Sequence, residues 1–134
     1  IYELFSLLFY QIEDTNEKCP FIMSDDNFKK IKHAKEIIIK EFYDPPKLSE
    51  LSESIGLSLR KLKTGFKEIY GKPVFQYLLE YKMELAQKLL LDGAYNVNEV
   101  SLKLGYSTAS HFISAFKKKY GVTPKSYILE NYRT

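Results

Sequence analysis

The chain is almost free of cysteine. Cys19 is the one thiol among 134 residues. It excludes an internal disulfide, a CxxC motif and a cysteine-built metal site, and it fits a reducing cytoplasm. No apolar run reaches the roughly 18 residues of a membrane-spanning helix. The most apolar segment, IYELFSLLFYQI at residues 1–12, has neither a basic leader nor a small-residue cleavage site, which argues against a signal peptide. The sequence also offers no nucleophile with an ordered base, no paired-carboxylate motif, no phosphate-binding loop and no metal-ligand cluster. The expectation is a protein that is not an enzyme and uses no metal or cofactor.

A hydrophobic fraction of 45% excludes wholesale disorder. The length suits one ordinary domain or two very small ones. The chain starts at Ile1 rather than Met, so a piece of a longer protein is expected. Charge is uneven. Residues 1–24 carry Lys18 against Glu3, Glu13, Asp14 and Glu17, a net −3, and residues 25–134 carry a net +6. Such asymmetry is compatible with a nucleic-acid-binding portion. In residues 1–12, Ile1, Leu4, Phe5, Leu8 and Ile12 form an apolar stripe, followed by the polar linker EDTNEKCP. Residues 1–24 read as the tail of an absent sensor or dimerisation domain, and residues 25–134 as a separate domain.

Within that domain a pattern occurs twice. Leu48, Glu50, Leu51, Ser52, Ile55, Gly56 and Ser58 match Val97, Glu99, Val100, Ser101, Leu104, Gly105 and Ser107 at an offset of 49. After a one-residue insertion, Leu62, Phe66, Tyr70, Gly71 and Tyr77 match Phe112, Phe116, Tyr120, Gly121 and Tyr127 at an offset of 50. Two copies are too few for a solenoid, so they predict two small units. Each reads as helix, tight turn, helix. Apolar residues at helical spacing end at a glycine placed to adopt a left-handed conformation. Ser58 and Ser107 are the expected N-caps of the two second helices, and Asn96 that of the helix opening at Val97. Ser52 and Ser101 are small where two crossing helices would approach closely.

The second helix of each unit has two unlike faces. In the first, Leu62, Gly65, Phe66, Ile69 and Tyr70 point inward. Arg60, Thr64 and Lys67 point outward, flanked by Lys61 and Lys63. In the other, Phe112, Ala115, Phe116 and Tyr120 point inward. Ser110, Ser114 and Lys117 point outward, flanked by His111, Ile113 and Lys118. A helix-turn-helix places its second helix in the DNA major groove with N-terminal residues at base edges. Short polar or methyl-bearing side chains suit that approach, and flanking lysines meet phosphates. The aromatic residues sit mostly on inward faces, which argues against single-strand stacking.

These residues resemble the DNA-binding domain of the AraC/XylS family of bacterial transcription regulators. The resemblance covers about residues 26–131. The family pattern IxEIAxxxGYxxxSHFxxxFKKxxGxTPxxYR is matched at Glu99, Gly105-Tyr106, Ser110-His111-Phe112, Phe116-Lys117-Lys118, Gly121, Thr123-Pro124 and Tyr127. Departures are Ser52 and Ser101 in place of alanine, Lys47 at a usual Ser/Thr cap, GKPV at 71–74, Lys82 and Ile128. The run LKTGFKEIYGKPVFQYLLEYKMELAQKLL most resembles the siderophore- and iron-responsive subgroup. The resemblance implies an all-α fold of about seven helices, near residues 28–42, 48–55, 59–70, 74–92, 97–104, 108–120 and 124–131, plus an N-terminal helical segment. The 74–92 helix would connect two helix-turn-helix subdomains at about 48–70 and 97–120. Their reading helices would enter successive major grooves about 34 Å apart.

The expected function is therefore sequence-specific binding of double-stranded DNA as part of a bacterial transcription regulator, an activator by preference. The alternative is a helical protein–protein interaction module with only non-specific DNA affinity. Base-reading candidates are Arg60, Lys63, Thr64, Ala109, Ser110, Ile113 and Ser114. Arg60 leads them because arginine on guanine is the commonest specific contact. The second set is small or apolar, so the first unit is expected to carry more sequence information. Phosphate candidates are Ser58, Lys61, Lys67, Ser107, His111, Lys117 and Lys118. RNA polymerase is an expected partner, and a homodimer could form through the absent domain or residues 1–12. The expected location is the bacterial cytoplasm, on the nucleoid.

Overall fold

The computed structural model describes residues 24–132, so the apolar stripe at 1–12, the linker and Cys19 lie outside the described residues. Seven α-helices and no strand occur among the described residues. They are α1 Asp25–Lys40, α2 Leu48–Ile55, α3 Leu59–Tyr70, α4 Val74–Asp92, α5 Val97–Lys103, α6 Ala109–Tyr120 and α7 Pro124–Tyr132. No described helix is long and apolar enough to cross a membrane.

The all-α expectation holds, and the expected bounds hold for α2, α3 and α4. Helix α1 corrects them, opening at Asp25 rather than residue 28. The Ser24 hydroxyl accepts the Asn27 N–H at 3.1 Å, and Asp25 and Asp26 place negative charge in the first turn. Both features stabilise a helix N-terminus. The helix stops at Lys40, five residues before the Pro45-Pro46 pair that bars helix.

The chain divides into two compact units. The first comprises the described residues up to Ile38 together with Pro46–Tyr77, and the second Ile39–Pro45 with the residues from Leu78 onward. In the first, Ile31, Ala34, Ile38, Leu51, Ile55, Leu62 and Phe66 are buried. In the second, Met83, Ala86, Leu90, Val100, Leu104, Phe112 and Phe116 form one buried cluster. Met83 of α4 is fully buried there. Its flexible thioether fills such a gap as readily as a leucine.

The repeat recurs in the packing. Phe66, Tyr70 and Tyr77 form an aromatic triad with centroid separations of 4.7, 5.5 and 5.3 Å. Phe116, Tyr120 and Tyr127 form its counterpart at 4.7, 5.5 and 6.2 Å. The matching residues of the sequence therefore sit in matching places. These tyrosines are half-buried parts of the packing, each adding edge or tilted ring contacts to area burial.

Candidate nucleic-acid interface

Each reading helix is set by the turn before it. In the first unit Gly56 takes φ +75°, a left-handed value that suits glycine. The Ser58 hydroxyl then accepts the Lys61 N–H at 3.2 Å and starts α3. That bond uses an acceptor site, so the hydroxyl proton remains available as a donor. Lys47 does not cap α2, because an ammonium has no acceptor. Glu50 compensates, its carboxylate accepting the Lys47 N–H at 3.0 Å.

In the second unit Asn96 and Glu99 form the full reciprocal box. Asn96 Oδ1 accepts the Glu99 N–H at 2.8 Å, and Glu99 Oε1 accepts the Asn96 N–H at 2.9 Å. The cap of α6 is Thr108 rather than the expected Ser107. The Thr108 hydroxyl accepts the His111 N–H at 3.4 Å, and the helix opens at Ala109. Two adjacent hydroxyl residues made the sequence ambiguous by one position. The shift leaves Ser107 exposed and outside the helix.

The serines that replace alanine behave alike in burial and differently in bonding. Ser52 and Ser101 are 4% and 1% exposed. Ser52 donates within its own helix to the Ser49 carbonyl at 2.8 Å. Ser101 donates across the turn to the Thr108 carbonyl at 3.3 Å. Each buried hydroxyl thus has a partner and avoids the cost of an unmade bond. The turn of the second unit is also crowded. A Cβ on Gly105 would overlap the Tyr43 carbonyl oxygen and lie 2.7 Å from its carbon. A Cβ on Gly56 would meet only the flexible Lys30 side chain, at 3.7 Å.

The outer faces emerge as follows. Ser58, Arg60, Lys61, Lys63 and Lys67 are exposed and Thr64 is half-buried. Arg60, Lys63, Thr64 and Lys67 follow the i, i+3, i+4, i+7 spacing of one helix face, opposite the buried Leu62 and Phe66. Ser107, Ser110, His111, Ser114, Lys117 and Lys118 are exposed, and Ala109 and Ile113 are half-buried. Ser110, Ile113, Ser114 and Lys117 repeat that face opposite the buried Phe112 and Phe116. A helix of about 10–12 Å across fits a major groove about 12 Å wide.

Several cations are held by the protein itself. Lys30 pairs with Asp26 at 3.1 Å and reaches the Gly56 carbonyl at 3.5 Å. Lys119 pairs with Glu80 at 3.6 Å, which withdraws one of the three lysines ending α6. Lys103 lies 4.5 Å from the Tyr95 ring centroid and Lys82 lies 5.2 Å from that of Tyr106. Burial lowers the Lys82 pKa. Among the described residues, Arg60, Lys61, Lys63, Lys67, Lys117 and Lys118 are in no ion pair. The sequence could not separate the engaged lysines from these, since the pairing depends on tertiary placement. No cluster of three or more potential metal ligands occurs among the described residues.

Two helix-turn-helix units, each presenting a polar helix face opposite its own core, define a double helix-turn-helix domain. Residues 51–129 match the family model described as a helix-turn-helix domain, and the chain belongs to that family in its AraC/XylS form. The chain is 35% identical over 81 residues to the xylose operon regulatory protein of Escherichia coli K12, a match spanning 60% of this chain and 21% of that protein. The chain thus spans about a fifth of the length of that relative. Among solved structures, it resembles the C-terminal domain of the two-component response regulator yesN from Fusobacterium nucleatum. The TM-score is 0.66 at 37% identity, covering 72% of this chain and 95% of that one. The fold is also that of the DNA-binding domain of AdpA, solved in complex with a target DNA. There the TM-score is 0.65 at 22% identity, covering 80% of this chain and 93% of that one.

Proposed function

We propose that residues 25–134 are the sequence-specific, double-stranded DNA-binding module of a bacterial transcription activator. The observation that carries this reading is the pair of position-matched helix faces, one rich in free cations and one rich in small polar and apolar groups. In this reading α3 and α6 enter successive major grooves. Arg60, Lys63 and Thr64 read bases from α3, and Ala109, Ser110, Ile113 and Ser114 from α6. Ser58, Lys61, Lys67, Ser107, His111, Lys117 and Lys118 position the domain on phosphates, contacts that carry no sequence information themselves.

The module works in the bacterial cytoplasm, beside RNA polymerase, within a longer regulator that senses its signal and dimerises elsewhere. The similarity to an operon regulatory protein supports that setting. The run from Leu62 to Leu90 supports placement in the siderophore- and iron-responsive subgroup.

The test is selection of bound duplexes from a random pool at near-physiological salt, using residues 1–134. The expected result is a bipartite motif with half-site centres about one helical turn apart. Salt-labile binding with no enriched motif would contradict it and favour a protein–protein interaction module. Salt must be fixed throughout, because phosphate contacts make affinity fall steeply with ionic strength.

A further inference from the structure

Resting on that DNA-binding reading, we infer that the outer face of α6 is a reader of pyrimidine C5-methyl groups, so that its half-site is defined by thymines. The two faces can be compared position by position at an offset of 50. Arg60, Lys63 and Thr64 of α3 become Ser110, Ile113 and Ser114 of α6. A strong donor and a second cation are thus replaced by a hydroxyl and an aliphatic side chain.

Three structural facts give this replacement a direction. First, Ile113 is half-buried and packs against the core of its own unit. Its β-branched side chain has one strongly preferred rotamer in a helix, so its outer methyl surface is held in place before any ligand arrives. Second, the first two turns of α6 contain no Lys, Arg, Asp or Glu, and the run of lysines starts only at Lys117. That is about 10 Å along the axis from Ser110. Third, Lys119 is tied to Glu80, so it does not fold back to supply the missing charge.

In the major groove thymine alone presents a methyl group, whereas guanine presents N7 and O6, adenine N7 and its N6 amino group, and cytosine an N4 amino group beside a bare C5–H. An apolar Ile113 surface against one of those polar groups would strip its water and return no hydrogen bond, at a net cost. Against thymine the same surface buries a methyl, a net gain. Ser110 and Ser114 flank Ile113 and can donate or accept, so they tolerate the polar groups of neighbouring bases.

The experiment is a pair of selections with the unaltered 134-residue protein, one from a random duplex pool containing thymine and one from a pool in which deoxyuridine replaces thymidine throughout. Uracil differs from thymine only by the missing methyl. A third selection with Arg60→Ala identifies which half of the motif belongs to α3. The expected result is that the α3 half persists in the uracil pool while the other half loses its preference. In a selected duplex, each thymine changed to uracil beneath α6 weakens binding by roughly fourfold. A motif whose two halves are unchanged in the uracil pool overturns the inference and leaves the DNA-binding proposal standing. Absence of a motif from both pools overturns both.

Discussion

The two units share a plan and differ in how they use it. Each has a left-handed glycine turn, a capped reading helix and an aromatic triad in the same register. Yet the turn of the first is bordered at Gly56 only by the flexible Lys30 side chain, and that of the second is filled by the Tyr43 backbone at Gly105. The first presents Arg60, Lys61, Lys63 and Lys67 to solvent, and the second presents hydroxyls and an isoleucine before its lysines. Repetition of the buried positions preserves the fold, and divergence of the exposed ones gives two chemically different helix faces.

The largest expected difference lies in the turns. At both glycines a side chain would meet left-handed backbone, at about 1–2 kcal/mol. At Gly105 a Cβ must also displace main chain of residue 43. Gly105→Ala should therefore lower unfolding free energy by several kcal/mol, about 2 kcal/mol or more beyond Gly56→Ala. Urea denaturation of both variants measures this, and equal losses would show that the crowding at Gly105 relaxes at no cost.

A smaller difference is expected in recognition. Arg60→Ala should cost about 1–3 kcal/mol of discrimination at one base pair. Its positional match Ser110→Ala should cost about 1 kcal/mol or less, the worth of one neutral hydrogen bond. Binding titrations against single-base operator variants would rank them. Phosphate contacts should appear in the salt dependence. Lys61→Gln and Lys67→Gln should each reduce the slope of log affinity on log salt by about 0.9. Lys119→Gln should leave it unchanged, because Glu80 already holds that ammonium.

The smallest effect concerns alkaline pH. Burial raises Tyr70, Tyr106 and Tyr120 above the ordinary 10.0. Tyr77 and Glu36 add to the rise at Tyr70, as do Glu84, Tyr127 and Glu80 at Tyr120. The folded chain keeps these protons after the unfolded chain has lost them. Stability should therefore be intact below pH 10.0 and fall as pH rises through it. Lys82 opposes this. Burial lowers its pKa from 10.5, so its neutralisation in the fold adds stability up to that value. Two of the three tyrosines belong to the second unit. Tyr106→Phe should flatten the decline in urea midpoint as pH rises above 10.0.

The buried half of this molecule was legible in the sequence because helical periodicity reports which side chains face a core. Leu51, Leu62, Phe66, Val100, Phe112 and Phe116 are all buried as their spacing predicts. The glycine turns were legible for a related reason, since few other residues take positive φ there. What escaped was set by local competition or by distant partners. Ser107 and Thr108 are equally good caps, and only geometry selects Thr108. Ser24 outranked the expected start of α1 because its hydroxyl reaches the Asn27 N–H. Lys119 looks like its neighbours in the sequence until Glu80 of another helix is seen 3.6 Å away.

The most direct measurement of the claim that two unlike faces read one operator is a set of parallel selections with the unaltered chain, Arg60→Ala and Ser114→Ala. The account predicts that Arg60→Ala erases a guanine-bearing half of the motif and spares the other. It predicts that Ser114→Ala blurs only the second half, and by less. An unchanged motif for Arg60→Ala together with a degraded one for Ser114→Ala would contradict it.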